Sequence, residues 1–297
     1  LNWVAEAAWN TGEPGVIFDD KINEDFGPAS VGETFESVNA CSEIPLPAWG
    51  VCCLGAVNLI EFVGLTGEVD WQGIKDATTF GVAFLNATID YAAVHDLYPF
   101  EESKLMALRT RQIGIGVMGL AHALMKMGLP YGSPEAQDAA GSFMRVIREA
   151  AEAAKNGNTS LCAGQPTGTT SILAGTTSGI EPLFALEYNR KDGDRNVKVK
   201  DPLYKQLGKH HDPSVFRCAH EVHWRERLAM QGALQEYIDN AISSTVNLPY
   251  HTTKQTVAEV FKTAYRLGLK SITIFRDGCL RDAVLTTDGC RTGSCDI

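Results

Sequence analysis

Hydrophobic residues recur at helical spacing in several stretches of the chain. Asn2 to Ala8 is apolar at that period and stops at the turn cluster Asn10-Thr11-Gly12-Glu13-Pro14-Gly15. Trp71 to His95 keeps the same period, and Ser103 to Arg111 reads as a charged helix. Ser133 followed by Pro134 predicts a capped helix start, with Phe143, Val146 and Ile147 on its apolar side and Asn156-Gly157-Asn158 as its stop. Thr253 to Leu267 is amphipathic, with Val257, Val260, Phe261, Ala264 and Leu267 on one side and Gly268 at its end. Ile272-Thr273-Ile274-Phe275 predicts a buried parallel strand. Val16-Ile17-Phe18 suits a short strand or buried turn, and Ala56 to Phe62 a buried strand or helix start. Lys21 to Phe35 is polar and irregular, and Asn189 to His211 is charged and expected to be exposed.

Two glycine-bearing stretches need a separate reading. Gly114-Ile115-Gly116-Val117-Met118-Gly119 has the glycine spacing of a dinucleotide fold, but a charged helix precedes it where a strand is required. Its glycines are expected to form a small-residue stripe that lets helices approach closely. Pro166 to Ser178 holds five threonines, two serines and two glycines. Such a loop can present backbone and hydroxyl donors to an anion, or be an ordinary surface loop; without a Walker lysine it is no P-loop.

Composition narrows the class. The 297 residues are 44% hydrophobic and 21% charged, as in a globular protein. A net charge of −10 excludes broad binding to a nucleic acid polymer. No apolar run approaches the roughly 20 residues that span a bilayer, and no signal peptide opens the chain. The expectation is a cytoplasmic protein without membrane partners. Eight scattered cysteines fit no ladder of structural disulfides and read as redox-active thiols. Cys218, His220 and His223 lack a fourth ligand and the usual paired spacing, so no metal is expected there, and the histidines read as polar helix-face residues.

The most chemically loaded stretch is Asn39-Ala40-Cys41-Ser42-Glu43-Ile44-Pro45-Leu46-Pro47, followed by Gly50-Val51-Cys52-Cys53-Leu54-Gly55. In an extended segment Asn39, Cys41 and Glu43 would share one face. An amide, a thiol and a carboxylate so arranged suit redox or nucleophilic chemistry. A buried cysteine among turn residues is the plainer alternative.

This stretch resembles the active-site finger loop of ribonucleotide reductases. Arg111 to Ala121, Pro166 to Ser171 with Ser178-Gly179-Ile180-Glu181-Pro182, Thr245 to Pro249 and Ile272 to Gly278 resemble further segments of that family, in family order. The details look most like its adenosylcobalamin-dependent class II. The resemblance implies an α/β fold, the second half of a ten-stranded α/β barrel with its finger loop, over residues 1–280, and a flexible redox tail over 281–297. It implies reduction of ribonucleotides, most similar to ribonucleoside-diphosphate enzymes, by a thiyl radical on Cys41. Glu43 matches the carboxylate that takes the 3′-hydroxyl proton, and Asn39 the amide that bonds the ribose. Cys52 matches one member of the reducing cysteine pair, with Cys53 as its rival; the other member lies upstream of this chain, so the N-terminal half is an implied partner.

Pro166, Thr167, Gly168, Thr169, Thr170 and Ser171 match the substrate-phosphate site. Cys290 and Cys295 resemble tail cysteines that a thioredoxin-like protein reduces. Class I large subunits relay a radical through two adjacent tyrosines, where this chain has Thr273 and Ile274. Adenosylcobalamin beside Cys41 therefore fits better as the radical source. A class I-like large subunit with an unusual relay, and an inactive barrel fragment that binds a nucleotide or a partner half, are the alternatives.

Overall fold

The computed structural model describes residues 1–183, 185–192, 195–207, 212–280 and 285–286. Its helices are α1 (Asn2–Thr11), α2 (Asp19–Asn23), α3 (Trp71–Val94), α4 (Glu101–Thr110), α5 (Leu120–Lys126), α6 (Pro134–Ala153), α7 (Gly168–Leu173), α8 (Pro202–Leu207), α9 (Trp224–Gln235) and α10 (Lys254–Arg266). Its strands are β1 (Val16–Ile17), β2 (Ser37–Val38), β3 (Pro45–Leu46), β4 (Leu54–Asn58), β5 (Gly114–Met118), β6 (Glu187–Asp192), β7 (Arg195–Lys200), β8 (Thr245–Leu248), β9 (Ser271–Arg276) and β10 (Leu285–Thr286).

A run of parallel strands forms the spine. β4 pairs with β5 from Leu54–Gly114 to Asn58–Met118. The next neighbour is the extended segment 161–165: Ile115 N–H donates to Leu161 C=O at 2.7 Å, and Ala163 N–H to Ile115 C=O at 3.2 Å. That segment in turn meets 241–243, where Gly164 N–H bonds Ala241 C=O and Ser243 N–H bonds Gly164 C=O. β8 continues it and pairs in parallel with β9, and β1 closes this edge antiparallel to β9. Helices link successive parallel strands, as such pairing requires. Five consecutive parallel strands with helical crossovers match the expected half barrel.

Local chemistry sets the helix ends. The Ser133 hydroxyl accepts from Ala136 N–H at 3.1 Å and Thr253 from Thr256 N–H at 3.1 Å, capping α6 and α10. Gly268 just beyond α10 has φ +72°. Val257, Val260, Phe261 and Ala264 are buried as expected, but Leu267 is 43% exposed, because it is the C-cap and leaves the apolar stripe. One core lies between α3, α6, β4 and β5, and a second joins α1 and α10 to β8 and β9. Asn86 and Asn158 exchange side-chain hydrogen bonds at 3.1 and 3.0 Å inside the protein.

Several expectations need correction. Gly114 to Met118 is no helix stripe but the fully buried strand β5. A Cβ on Gly116 would overlap the Ala163 carbonyl, and one on Gly114 would lie 2.6 Å from Leu54 Cδ2. Close approach of neighbouring strands, not of helices, is what these glycines serve. The segment from Lys21 to Phe35 is not wholly irregular, since it includes most of α2 and a 3₁₀ turn, Gly27–Val31. Asn189 to His211 holds most of the β6–β7 hairpin and α8. The histidines are not helix-face residues. His223 is the N-cap of α9, and His220 sits in a 3₁₀ turn with Nδ1 3.5 Å from Asp277 Oδ2. No group of three potential metal ligands occurs among the described residues. No described helix is long and apolar enough to cross a membrane.

Two glycines test this packing. Gly116→Ala should destabilise the fold by about 1–3 kcal/mol, because backbone must move. Gly141→Ala, on α6 with its nearest new neighbour at 3.5 Å, should stabilise it by up to about 1 kcal/mol. Urea unfolding of both variants checks the sign of each change.

Candidate active site

The loop from Asn39 to Ile44 is the tip of the β2–β3 hairpin, whose register pairs Ser37 with Leu46 and Val38 with Pro45. It is a turn and not the extended segment that the alternation suggested. Ser42 N–H donates to Asn39 C=O at 2.9 Å, and Ser42 itself has φ +63°. Asn39 closes the turn twice: its N–H donates to Ile44 C=O, and its Oδ1 accepts from Ile44 N–H at 3.0 Å. Ala40 and Cys41 are exposed at the tip, whereas Glu43 and Ile44 are buried. Cys41 and Glu43 therefore do not share one exposed face.

The foot of the loop is fastened to the strands. Glu43 C=O accepts from Ala241 N–H at 2.8 Å, and Pro45 C=O from Gln112 Nε2 at 2.8 Å. Gln112 Nε2 also reaches Asn240 Oδ1 at 3.0 Å, and Asn240 donates to the carbonyls of Ile113 and Cys162. Sequence reading missed Gln112 and Asn240; a polar residue flanking each apolar strand start was the available signal. The Glu43 side chain is 2% exposed, and its Oε2 has no hydrogen-bond partner among the described residues.

Cys52 lies beside this loop, with Asn39 Nδ2 3.7 Å from its sulfur. Cys53 points elsewhere, its thiol donating to Leu85 C=O on α3 at 3.8 Å. Cys52 is exposed, because it sits on the open connection between β3 and β4. Packed protein around its sulfur nevertheless pushes the Cys52 thiol up to about 12, and the Glu43 charge adds to this. The same two causes raise Cys41, while packing alone raises Cys53.

The hydroxyl-rich loop follows the C-terminal end of segment 161–165. It is partly helical: Thr167 has φ +50°, and α7 starts at Gly168. Gly168, Thr169 and Thr170 are exposed, and their first-turn N–H groups have no intrahelical acceptor. Gly179 N–H donates to Thr167 Oγ1 at 2.7 Å, and the hydroxyls of Ser171 and Ser178 are 2.9 Å apart. The structure brings Asn39, Cys41, Glu43 and Cys52 together; no hydrogen bond among the described residues joins residues 166–171 to them.

Residues 1–157 and 150–275 match the family described as the ribonucleotide reductase barrel domain. The chain belongs to this family. It is 32% identical over 333 residues to a vitamin B12-dependent ribonucleoside-diphosphate reductase of Mycobacterium tuberculosis, covering 96% of this chain and 47% of that one. A protein of the same description from Thermoplasma acidophilum is 30% identical over 340 residues, covering 97% of this chain and 44% of the relative. The chain thus spans about half the length of these curated relatives. The class Id ribonucleotide reductase alpha subunit of Actinobacillus ureae has the same fold, with a TM-score of 0.78 at 21% identity, over 94% of this chain and 61% of that one. Of the positions that resemble reductase site residues, Cys290 and Cys295 lie outside the described residues.

The thiol environment gives a direct test. Packed protein and, after it, the Glu43 charge disfavour the thiolates of Cys41 and Cys52, so both should alkylate more slowly at pH 9 than an ordinary cysteine. Glu43→Gln removes that charge, lowers both thiol pKa values and should accelerate alkylation of both. Iodoacetamide labelling followed by peptide mass spectrometry reads each site; equal rates with and without the carboxylate would separate Glu43 from the thiols.

Proposed function

We propose that this chain supplies the finger loop and five parallel strands of a vitamin B12-dependent ribonucleoside-diphosphate reductase. The observation that carries this reading is the cluster at the hairpin tip: an exposed Cys41 thiol, the buried Glu43 carboxylate with an unused oxygen, and Cys52 joined to the loop through Asn39. The names of the curated relatives and the order of the strands support it.

In this reading Cys41 acts as a sulfur radical on the ribose. The S–H bond forms as the C3′–H bond breaks, leaving the radical on C3′. Glu43 takes the 3′-hydroxyl proton, which eases departure of the 2′-hydroxyl as water, and returns it to the 3′ oxygen once the thiol pair has delivered its electrons. Cys52 and a second thiol from the N-terminal half become a disulfide and give two electrons and two hydrogens, one to the departing water and one to C2′. Return of the hydrogen to C3′ restores the radical on Cys41. High thiol pKa values suit this chemistry, because a hydrogen atom is transferred from a thiol and not from a thiolate. Asn39 fixes the turn and directs its amide toward the same space.

Adenosylcobalamin fits the residues present. Thr273 and Ile274 on β9 carry no phenol to relay a radical, and the exposed tip of Ala40 and Cys41 leaves an approach from outside the loop. Bound there, next to Cys41, adenosylcobalamin would supply the radical chemistry that the Cys41 thiol requires. Pro166 to Ser171 holds the substrate phosphates through the first-turn N–H groups and threonine hydroxyls. Residues 281–297 form the redox tail, in which Cys290 and Cys295 carry electrons from a thioredoxin-like reductant to the disulfide that Cys52 forms. A cytoplasmic setting, where such reductants work, completes the reading.

Cys41→Ser should lower deoxynucleotide formation by about a thousandfold or more without unfolding the protein. The assay is anaerobic reduction of CDP with adenosylcobalamin and a dithiol, in the protein as its source makes it. Replacing Cys290 and Cys295 together should stop turnover with thioredoxin and spare much of it with a small dithiol. Turnover by the serine variant would remove Cys41 from the reaction, and equal loss with both reductants would remove the tail from electron delivery.

A further inference from the structure

His122 is 1% exposed, on α5 directly after β5, and both ring nitrogens are engaged. Nε2 lies 2.7 Å from Asp201 Oδ2, and Nδ1 lies 3.2 Å from Thr176 Oγ1. Asp201 is itself buried and fixed, its Oδ1 accepting from Tyr204 N–H at 2.8 Å and its N–H donating to Leu186 C=O. An ionised carboxylate only accepts, so the neutral ring donates from Nε2 and accepts the Thr176 hydroxyl at Nδ1. A protonated ring would donate from both nitrogens, and the Thr176 oxygen can accept, so either state holds the threonine.

Thr176 belongs to the far side of the hydroxyl-rich loop. Its N–H donates to Ser171 C=O at 2.9 Å, closing the end of α7. The next residue, Thr177, gives its carbonyl to Gly119 N–H at 2.8 Å. A second buried anchor holds the chain five residues on: Glu181 pairs with Arg227 at 2.8 Å, and Arg227 reaches Tyr131 Oη at 2.8 Å. The exposed donors at 168–170 are therefore carried on a segment tied down beyond α7, first by an imidazole and then by a guanidinium. A buried histidine–aspartate pair is costly to desolvate and a poor way to gain stability alone. Its use here is geometric: it sets where the Ser171–Thr176 closure sits, and with it the first turn of α7.

We infer that His122, oriented by Asp201, is a positioning residue that holds the 166–178 loop through Thr176 in the geometry that receives a nucleoside's diphosphate. The inference rests on the reading of that loop as the substrate-phosphate site. Preorganised donors bind an anion without the cost of ordering them, so slackening this tie should weaken recognition of the phosphates and leave that of the nucleoside alone.

His122→Ala would strand a buried carboxylate and could unfold the protein, so Thr176 is the better handle. Thr176→Val keeps the shape and removes the hydroxyl; Thr176→Ser keeps the hydroxyl. Calorimetric titration with CDP and with cytidine, on the protein as its source makes it, reads the effect. Thr176→Val should weaken CDP by roughly threefold to tenfold and change cytidine by less than about twofold, and Thr176→Ser should restore CDP. If Thr176→Val binds CDP as the wild type does, or weakens CDP and cytidine alike, the positioning role is wrong. If Thr176→Ser behaves as valine does, the hydroxyl is not what His122 holds, and the inference also falls. A wild-type protein that binds CDP no better than cytidine would overturn the phosphate-site reading, and this inference with it.

Discussion

The fastening of the finger loop to the strands is the constraint on which the site depends. Two carbonyls, of Glu43 and Pro45, are held by Ala241 N–H and the Gln112 amide at 2.8 Å each. These bonds are buried, so losing either partner would leave an unsatisfied polar group and cost about 1–3 kcal/mol. With the foot fixed, Asn39 can close a tight turn that lifts Ala40 and Cys41 outward while sinking Glu43 and Ile44. A thiol and a carboxylate two residues apart thus meet different surroundings. That difference leaves one group at the surface while the other stays shielded from water.

The strand order makes this fastening possible. Gln112 precedes β5, Asn240 and Ala241 start the run that becomes β8, and segment 161–165 lies between them. Hydrogen bonds from Asn240 to Ile113 and Cys162 tie all three at the same level. Glycines at 114 and 116 let these strands approach where a Cβ would collide. The same packing that builds the half barrel therefore sets the register of the loop, and a shift of one strand would move Cys41 relative to Cys52. At the other ends of the strands, buried polar pairs organise the hydroxyl-rich loop in a comparable way.

Much of this was legible from local chemistry. Ser133 and Thr253 announce helix starts because capping needs only neighbours in sequence. Phe261 and Val257 announce a buried face because helical period is local too. β5 was hidden, since glycines weaken a strand signal and only contact with Ala163 explains them. The turn at Ser42 was hidden because alternation of Asn39, Cys41 and Glu43 suits an extended segment equally well. Gln112 and Asn240 are 128 residues apart, and His122 and Asp201 are 79 apart, so their pairings exist only in the folded chain. The residue types at Cys41 and Glu43 and the family resemblance drew attention to this loop, whereas only the folded chain shows that the Cys52 sulfur faces Asn39 and the Cys53 sulfur faces Leu85.

The central claim is that the working radical sits on the Cys41 sulfur. Electron paramagnetic resonance on protein frozen during anaerobic turnover tests it most directly, using protein made once with β-deuterated cysteine and once with ring-deuterated tyrosine. The account predicts a radical whose hyperfine lines narrow with the labelled cysteine and stay unchanged with the labelled tyrosine. A signal that narrows only with the tyrosine label would contradict it.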